Sequence, residues 1–549
     1  MKDINKKIRT EALLNAVSYN GKANSNAVLS KIMIFVKDKS KAGEVMKEVN
    51  KIVQEVNKLS LDKQKEEIER LHIEKVKKKI IVKKIPNLKN AKKDKVVMRF
   101  APNPNGPMSI GHARTALWNW FLVDKYKGKY ILRFDDTDPR IKVPMKEAYS
   151  WFKEDLRWLG IKISSVVIQS SRLKIYYKHA EELIKNGYAY VDTLPQEEMR
   201  KKLWKNEITD EREDSVQEVM KKWKGMFTKY KDGEAVLRIK TDIDHPNPAV
   251  REWVAFRIIR NGKHPLVKAK VWPLLNFSSA IDDHLLKVTH ILRGGDLKTS
   301  DQRQKYVYDY FKWNYPETIY HGKFLVAGIK STSEIKELIK EGKISGWDDP
   351  RLGTLQALRR KGFRAEAIVN FIKENGLNLS DINISMEKVG AYNRDIIDKT
   401  ANRYFLILNP KKVIIKSGRC QFVDIPLHPD FPKVGSRKIK GVCDEFYLQD
   451  DVKYDQVYRL MYLFNFKNGE ILSDGYDPKL KAKMIHWLPV SKDLVDVEVV
   501  MQDNSVKKGY GESDLRNVKV NDVIQAERIG FMRLEKRLKN KMIFVFGHK

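Results

Sequence analysis

Cysteine is nearly absent from this chain. Only Cys420 and Cys443 occur in 549 residues, with no C-x-x-C pair, so neither a disulfide framework nor a zinc-finger ligand set is expected, in keeping with a reducing compartment. Long apolar runs are missing as well. The opening Met1-Lys2-Asp3-Ile4-Asn5 lacks the apolar core of a signal peptide. The best run near it, Ala27 to Val36, is broken by Lys31 and is too short to span a bilayer. These absences predict a soluble, cytoplasmic protein without a membrane partner. Acidic residues are in deficit: Asp+Glu 71 against Lys+Arg 106, a net charge of +35. That balance points to a polyanionic partner, with nucleic acid first, or else to a lysine-rich solvated surface. The length implies several domains with ample core.

What is present is organised around Val96 to His112, V-V-M-R-F-A-P-N-P-N-G-P-M-S-I-G-H. Val96, Val97, Met98 and Phe100 read as a buried parallel strand. Pro102, Pro104, Gly106 and Pro107 stop it and impose a turn. A helix then starts, with Ala113, Ala116, Leu117, Trp120 and Phe121 at core-facing spacing. A strand, a Gly/Pro turn and a helix N-terminus form a phosphate site, because the first turn has unbonded N–H groups and Gly111 admits a nucleotide close to the backbone. His112 can add a donor. By itself the triplet Ile110-Gly111-His112 says little, and a histidine satisfied in a turn is the plainer reading of it.

The same stretch resembles the first signature of class I aminoacyl-tRNA synthetases, most closely the archaeal-type glutamyl-tRNA synthetases, R-F-A-P-x-P-x-G-x-x-H-I-G-H-A. Ser109 stands where that family usually has the first histidine. Further motifs follow in the family's order. Tyr130 to Phe134 reads as a strand running into Asp135-Asp136-Thr137-Asp138-Pro139, a carboxylate-rich strand end where open α/β sheets place ligands. Val288 to Arg293 is another strand. Ala327 to Ser333, containing Lys330-Ser331-Thr332-Ser333, resembles the second class I signature. Gly346-Trp347-Asp348-Asp349-Pro350-Arg351-Leu352-Gly353-Thr354 is close to the G-W-D-D-P-R-x-x-T of archaeal and eukaryotic glutamyl and glutaminyl enzymes.

The resemblance implies a multidomain α/β and β protein. Its parts would be a helical N-terminal extension (1–94), a Rossmann-type catalytic domain in two halves (95–194 and 271–345), an acceptor-binding insertion (195–270), a helical stem-contact region (346–400) and a β-barrel anticodon-binding region (401–549). Arg359-Arg360-Lys361 would pack under the inner corner of the tRNA. His112, Ser109 and Lys330 are implied in catalysis on the phosphates. ATP would meet Pro102, Asn103, Gly106, Ile110, Gly111 and His112 on one side, and Asp296, Leu297, Lys330, Ser331 and Ser333 on the other. Glutamate would be held by Arg99, Asn103, Asp135 and Arg293, with Asp135 on the α-ammonium and the arginines on carboxylates. Arg293 occupies a position that is cysteine in glutaminyl-tRNA synthetases, and Leu275 stands where bacterial relatives have a substrate-contacting tyrosine. Arg437 is the candidate for tRNA contact in the barrel. Implied partners are L-glutamate, tRNA(Glu) and possibly tRNA(Gln). Implied cofactors are ATP with its Mg²⁺, without zinc or any other protein-bound metal, in a monomer.

Read from residues alone, Val45, Val49, Ile52, Val53, Val56 and Leu59 share a helical face, and Lys75 to Lys84 is an exposed connection or a tRNA-facing patch. Asn468-Gly469 predicts a hairpin turn between two short strands. His245 is expected to be a loop histidine, since Asp242 alone does not complete a metal site.

Overall fold

A computed structural model describes residues 2–18, 21–33, 35–36, 42–71, 84–326, 331–416, 418, 420–539 and 541–549. The chain divides into two compact units, Met1–Val82 and Lys83–Lys549.

The first unit contains four helices, α1 (Lys2–Ser18), α2 (Ser25–Ile32), α3 (Ala42–Lys58) and α4 (Leu61–Arg70). The heptad-like spacing in α3 buries Val45, Val49, Ile52, Val53 and Val56 against Ile8, Ala12, Leu13 and Ala16 of α1, while Leu59 lies just beyond the helix end. Gln64 is fully buried, yet its amide donates to the carbonyls of Gly21, Val56 and Leu59. The amide nitrogen is thereby satisfied, as buried polar groups normally are, while the amide oxygen has no partner among the described residues. Most of Lys75 to Lys84 lies outside the described residues. The unit ends sooner than residue 94. Residues 84–94 carry no helix and belong to the second unit, where Leu88 is buried and its N–H donates to the Tyr126 hydroxyl.

The second unit begins with a parallel sheet. Strands β1 (Val97–Phe100), β2 (Lys129–Phe134) and β3 (Ser165–Ile168) pair in that order, all parallel. Helix α5 (Ile110–Lys125) crosses between β1 and β2 and buries Ala113, Ala116, Leu117 and Phe121. Trp120 is only half-buried, and Trp118 takes the fully buried place instead. After β3 the chain leaves this sheet. Four antiparallel strands, β4 (Ala189–Asp192), β5 (Val236–Ile239), β6 (Val254–Ile258) and β7 (Val271–Pro273), form a second sheet with its own core of Tyr190, Trp223, Leu237, Phe256 and Trp272. Because β4 already pairs with β5, this inserted sheet starts before residue 195. His245 sits in its loop, where Nδ1 accepts from Asn247 N at 3.1 Å.

The chain then returns. Strands β8 (His290–Gly294) and β9 (Glu317–His321) pair in parallel, and Thr289 N donates to Val97 O at 2.9 Å, setting β8 beside β1. Numbered along the chain, the five parallel strands therefore lie in the order 3-2-1-4-5, the doubly wound arrangement whose reversal point opens a ligand crevice at the carboxyl ends of the strands.

From residue 401 the chain is almost entirely β. A seven-stranded sheet is joined by smaller sheets of two, three and four strands. The two ends of the seven-stranded sheet are Arg403–Tyr404, parallel to Val523–Ala526, and Leu406–Leu408, antiparallel to Val506–Gly511. Only Phe405 separates those end strands, so consecutive residues supply both rims. The predicted hairpin is present: Lys467 pairs with Glu470, and Asn468 and Gly469 have φ of 51° and 80°, the signs a tight two-residue turn requires. One expectation fails. Cys420 and Cys443 are joined by a disulfide, one position beyond the Gln421–Val442 pair of an antiparallel hairpin. At a sequence separation of 23, their proximity follows from strand register and could not be read from spacing.

Candidate active site

At the carboxyl end of β1 the chain turns through Pro102 to Pro107 into α5, and Asp135 N donates to Pro102 O while the Asn103 amide donates to Asp135 O. These two bonds tie the turn to the end of β2. Ser109 is the N-cap of α5. Its Oγ accepts from His112 N, and His112 Nδ1 accepts from Ser109 N at 3.2 Å, closing a capping box. A serine at this position therefore supplies a helix cap, which the family's histidine would not supply in the same way. With Nδ1 engaged as an acceptor, the ring proton resides on Nε2. Burial and the nearby Lys142 lower the His112 pKa to about 4, so the ring is neutral near pH 7.

The W-D-D-P-R segment closes over this turn. Ile110 N donates to Gly353 O, Leu355 N donates to Met108 O, and Ser109 pairs with Thr354 as an isolated antiparallel bridge. Thr354 Oγ1 in turn donates to Trp347 O at 2.6 Å. Gly106 lies beneath Trp347 and Thr332: a Cβ there would come within 2.7 Å of the Thr332 methyl and 3.2 Å of the indole. Lys330 lies outside the described residues. Ser331, next to it, caps helix Thr332–Lys340 through Glu334 N, and Ser333 is exposed in the first turn. The Thr332 contact thus brings the second signature against the first. On the reading that the resemblance implies, Gly106→Ala is expected to push this loop away and raise KM for ATP by roughly tenfold or more, given the sensitivity of reacting geometry to small displacements. Steady-state kinetics at varied ATP would check it, with an unchanged KM as the contrary result.

Beside the turn lies a buried charge cluster. Arg99 forks onto Asp283, at 2.9 Å and 3.3 Å. Arg133 is fully buried and bridges the two carboxylates, giving Nη1 to Asp283 at 2.6 Å and Nε to Asp135 at 2.8 Å. Ser279 Oγ also donates to Asp135. Burial works to raise the Asp283 pKa, but the guanidinium groups of Arg99 and Arg133 win and hold it at about 2. For Asp135 burial wins, and its pKa lies above the ordinary carboxylate range despite Arg133. Arg293, on β8, is 5% exposed; it donates to Gln304 at 2.9 Å and stands 3.8 Å from Asp301. Its Nε, the Asn103 amide oxygen and the Tyr308 hydroxyl are buried without a partner among the described residues. Buried polar atoms are normally satisfied, so three such atoms at one strand-end crevice mark a place for a polar ligand.

Sequence reading named Arg99, Asn103, Asp135 and Arg293, and the structure gathers all four at this crevice. It missed Arg133, Asp283 and Ser279. Ile281-Asp282-Asp283-His284 resembles an ordinary acidic surface turn; only helix Leu275–Leu285, packed inward, reveals both aspartates as buried. Asp136 and Asp138 are engaged elsewhere. Asp136 accepts from Tyr149 and Ser170, and Asp138 from Arg257. Asp296 and Leu297 lie on the exposed side, with Asp296 3.0 Å from Lys323 Nζ, and Leu275 is likewise exposed. Among the described residues no three His, Cys, Asp or Glu side chains are grouped to hold a metal ion.

One basic expectation needs correcting. Arg437 is not on a surface that tRNA could touch. It is 1% exposed, ion-paired with Glu512 at 2.5 Å and stacked near Tyr404 and Phe405, because its strand turns that side chain into the C-terminal core. Arg359, Arg360 and Lys361 are also engaged within the protein, with Asp155, Glu535 and the Pro350 carbonyl respectively.

Comparison with known proteins agrees with this geometry. Residues 95–399 match the family described as "tRNA synthetases class I (E and Q), catalytic domain". Residues 401–484 and 484–535 match two families of "tRNA synthetases class I (E and Q), anti-codon binding domain". The chain is 43% identical over 575 residues to a glutamate--tRNA ligase of Thermococcus kodakarensis, covering 100% of each. It is 44% identical over 560 residues to a glutamate--tRNA ligase of Methanocaldococcus jannaschii, covering 99% of this chain and 100% of the relative.

Proposed function

The chain belongs to the class I tRNA synthetases of the E and Q group, and from that premise we propose that it is a glutamate--tRNA ligase with the residues above in the following roles. The α-carboxylate of glutamate attacks the α-phosphorus of ATP; an O–P bond forms, the bond to the β-phosphate oxygen breaks, and pyrophosphate leaves. The terminal ribose hydroxyl of the tRNA then attacks the activated carbonyl, giving up its proton as AMP departs. No protein nucleophile is required, since positioning and charge neutralisation lower the barrier.

Among the described first-turn amides of α5, Ile110 N is used on Gly353 and His112 N on Ser109, which leaves Gly111 N–H for a phosphate oxygen. His112 presents Nε2–H to the same group. To Lys330 we give the role that the resemblance implies, neutralising charge as it develops. Magnesium would travel with the triphosphate, because the Asp135, Asp136 and Asp138 carboxylates are already paired. Arg293 with Arg99 meets the carboxylates of glutamate, and Asp135 the ammonium. A carboxylate offers about four lone-pair positions, so Asp135 can accept the ammonium while bonded to Arg133. The observation that carries the choice of glutamate is Arg293 at the end of β8: a permanently charged fork suits a carboxylate and is wasted on a carboxamide. We read the seven-stranded sheet, joined at both rims by residues 403–408, as a barrel for the anticodon stem-loop, and the protein as a cytoplasmic monomer.

The test is aminoacylation with labelled glutamate and labelled glutamine, side by side, on tRNA(Glu) and tRNA(Gln) transcripts with ATP and Mg²⁺. Glutamate on tRNA(Glu) supports the reading, and glutamate on tRNA(Gln) as well adds the second tRNA. Glutamine alone sinks it. The neutral state of His112 predicts that KM for ATP is flat between pH 6 and pH 8. A phosphate held by an imidazolium would instead bind roughly tenfold more weakly for each unit above the histidine pKa.

A further inference from the structure

The three consecutive cations that sequence reading assigned to tRNA are built into a joint. Helix Leu355–Arg360 is short, and its last turn reaches in two directions. On one side Arg360 grips Glu535 of strand Gly530–Arg537 with a two-pronged bond, Nε to Oε1 at 2.5 Å and Nη2 to Oε2 at 3.0 Å. Its own carbonyl accepts from Arg533 Nη1 at 3.1 Å. On the other side Nη1 reaches the Asp348 carbonyl at 3.4 Å, and Nε lies 3.8 Å from the Asp348 carboxylate. Lys361, buried next to it, donates to Pro350 O at 3.0 Å. Asp348 and Pro350 belong to the segment whose Trp347 covers Gly106 and whose Gly353 and Thr354 hold Ile110 and Ser109.

One guanidinium therefore touches both the C-terminal sheet and the segment that closes the nucleotide turn. A planar fork on a carboxylate fixes angle as well as distance, and close-packed neighbours transmit small displacements instead of absorbing them. Resting on the proposed function, we propose that Arg360 is a positioning residue: its fork on Glu535 sets the nucleotide turn in its reactive geometry, so that the C-terminal half governs turnover as well as tRNA affinity. Lys361 restrains Pro350 from behind and keeps the fork aimed.

The test uses the full chain with Glu535→Gln, Arg360→Gln and the double variant, measured for kcat, KM for tRNA(Glu), KM for ATP and melting temperature. Glu535→Gln keeps the shape and removes the charge. The expected result is a loss of roughly tenfold in kcat for each single variant, with KM for tRNA within about twofold of the parent. The double variant should be no worse than either single, the mark of two groups acting through one contact. A raised KM for tRNA with kcat intact would overturn the proposal, as would unchanged kinetics, additive losses, or losses that follow melting temperature alone. If the parent itself charges no glutamate, the functional reading fails first. If the parent charges and Glu535→Gln equals it, only this inference fails.

Discussion

Replacing Arg293 with cysteine lowers kcat/KM for glutamate by roughly 10³-fold, about 4 kcal/mol. Arg293 is nearly closed off from solvent at the carboxyl end of β8. One of its nitrogens already binds Gln304, and its Nε has no partner among the described residues. A carboxylate placed there forms charge-assisted bonds in a water-poor site, and such bonds are about twice as strong as neutral ones. The substitution also strips a donor from Gln304 Oε1, which still accepts from the Tyr315 hydroxyl. The measurement is aminoacylation at varied glutamate, with the thermal melt as a control for folding. Normal glutamate charging by the variant would remove Arg293 from the substrate site altogether.

Asp283→Asn should be the most damaging single change to folding. That carboxylate accepts from Arg99 twice and from Arg133 once, deep in the catalytic half. Without its charge, Arg99 and Arg133 share the remaining Asp135, and breaking a buried pair by removing one partner costs about 3–5 kcal/mol. Urea unfolding at pH 7 checks the size. The pH dependence checks the cause. The folded-state pKa of Asp283, about 2, lies below the ordinary carboxylate value, so its contribution is complete above about pH 4. It is lost as the pH falls through 4 towards 2. The gap between parent and variant should therefore narrow over that window. A gap that stays constant would mean that shape, not charge, is what Asn fails to supply.

These two residues also show what a sequence reveals and what it withholds. Arg293 was singled out because the resemblance gives its position a role, and the strand on which the sequence places it is present, with the side chain buried. Asp283 was not, because its meaning depends on Arg99 and Arg133, which lie 184 and 150 residues away. Two adjacent aspartates before a histidine look the same whether a helix faces them inward or outward. Arg437 failed for the same reason in reverse. A basic residue in a β-rich region of a +35 chain suggests RNA, yet Glu512, on a distant segment, makes it a core ion pair. The strands, the turn into α5 and the Asn468-Gly469 hairpin were readable because periodicity and turn chemistry are local. The early start of the inserted sheet was not, since β4 is indistinguishable from a strand of the parallel sheet until its partner is known.

The short segment 403–408, which fills both rims of the seven-stranded sheet, decides where the C-terminal half can be cut. Unpaired strand rims are templates for other chains. A fragment beginning at residue 401 keeps both end strands in place and should stay dispersed. A fragment beginning only eight residues later uncovers two hydrogen-bonding rims together and should self-associate.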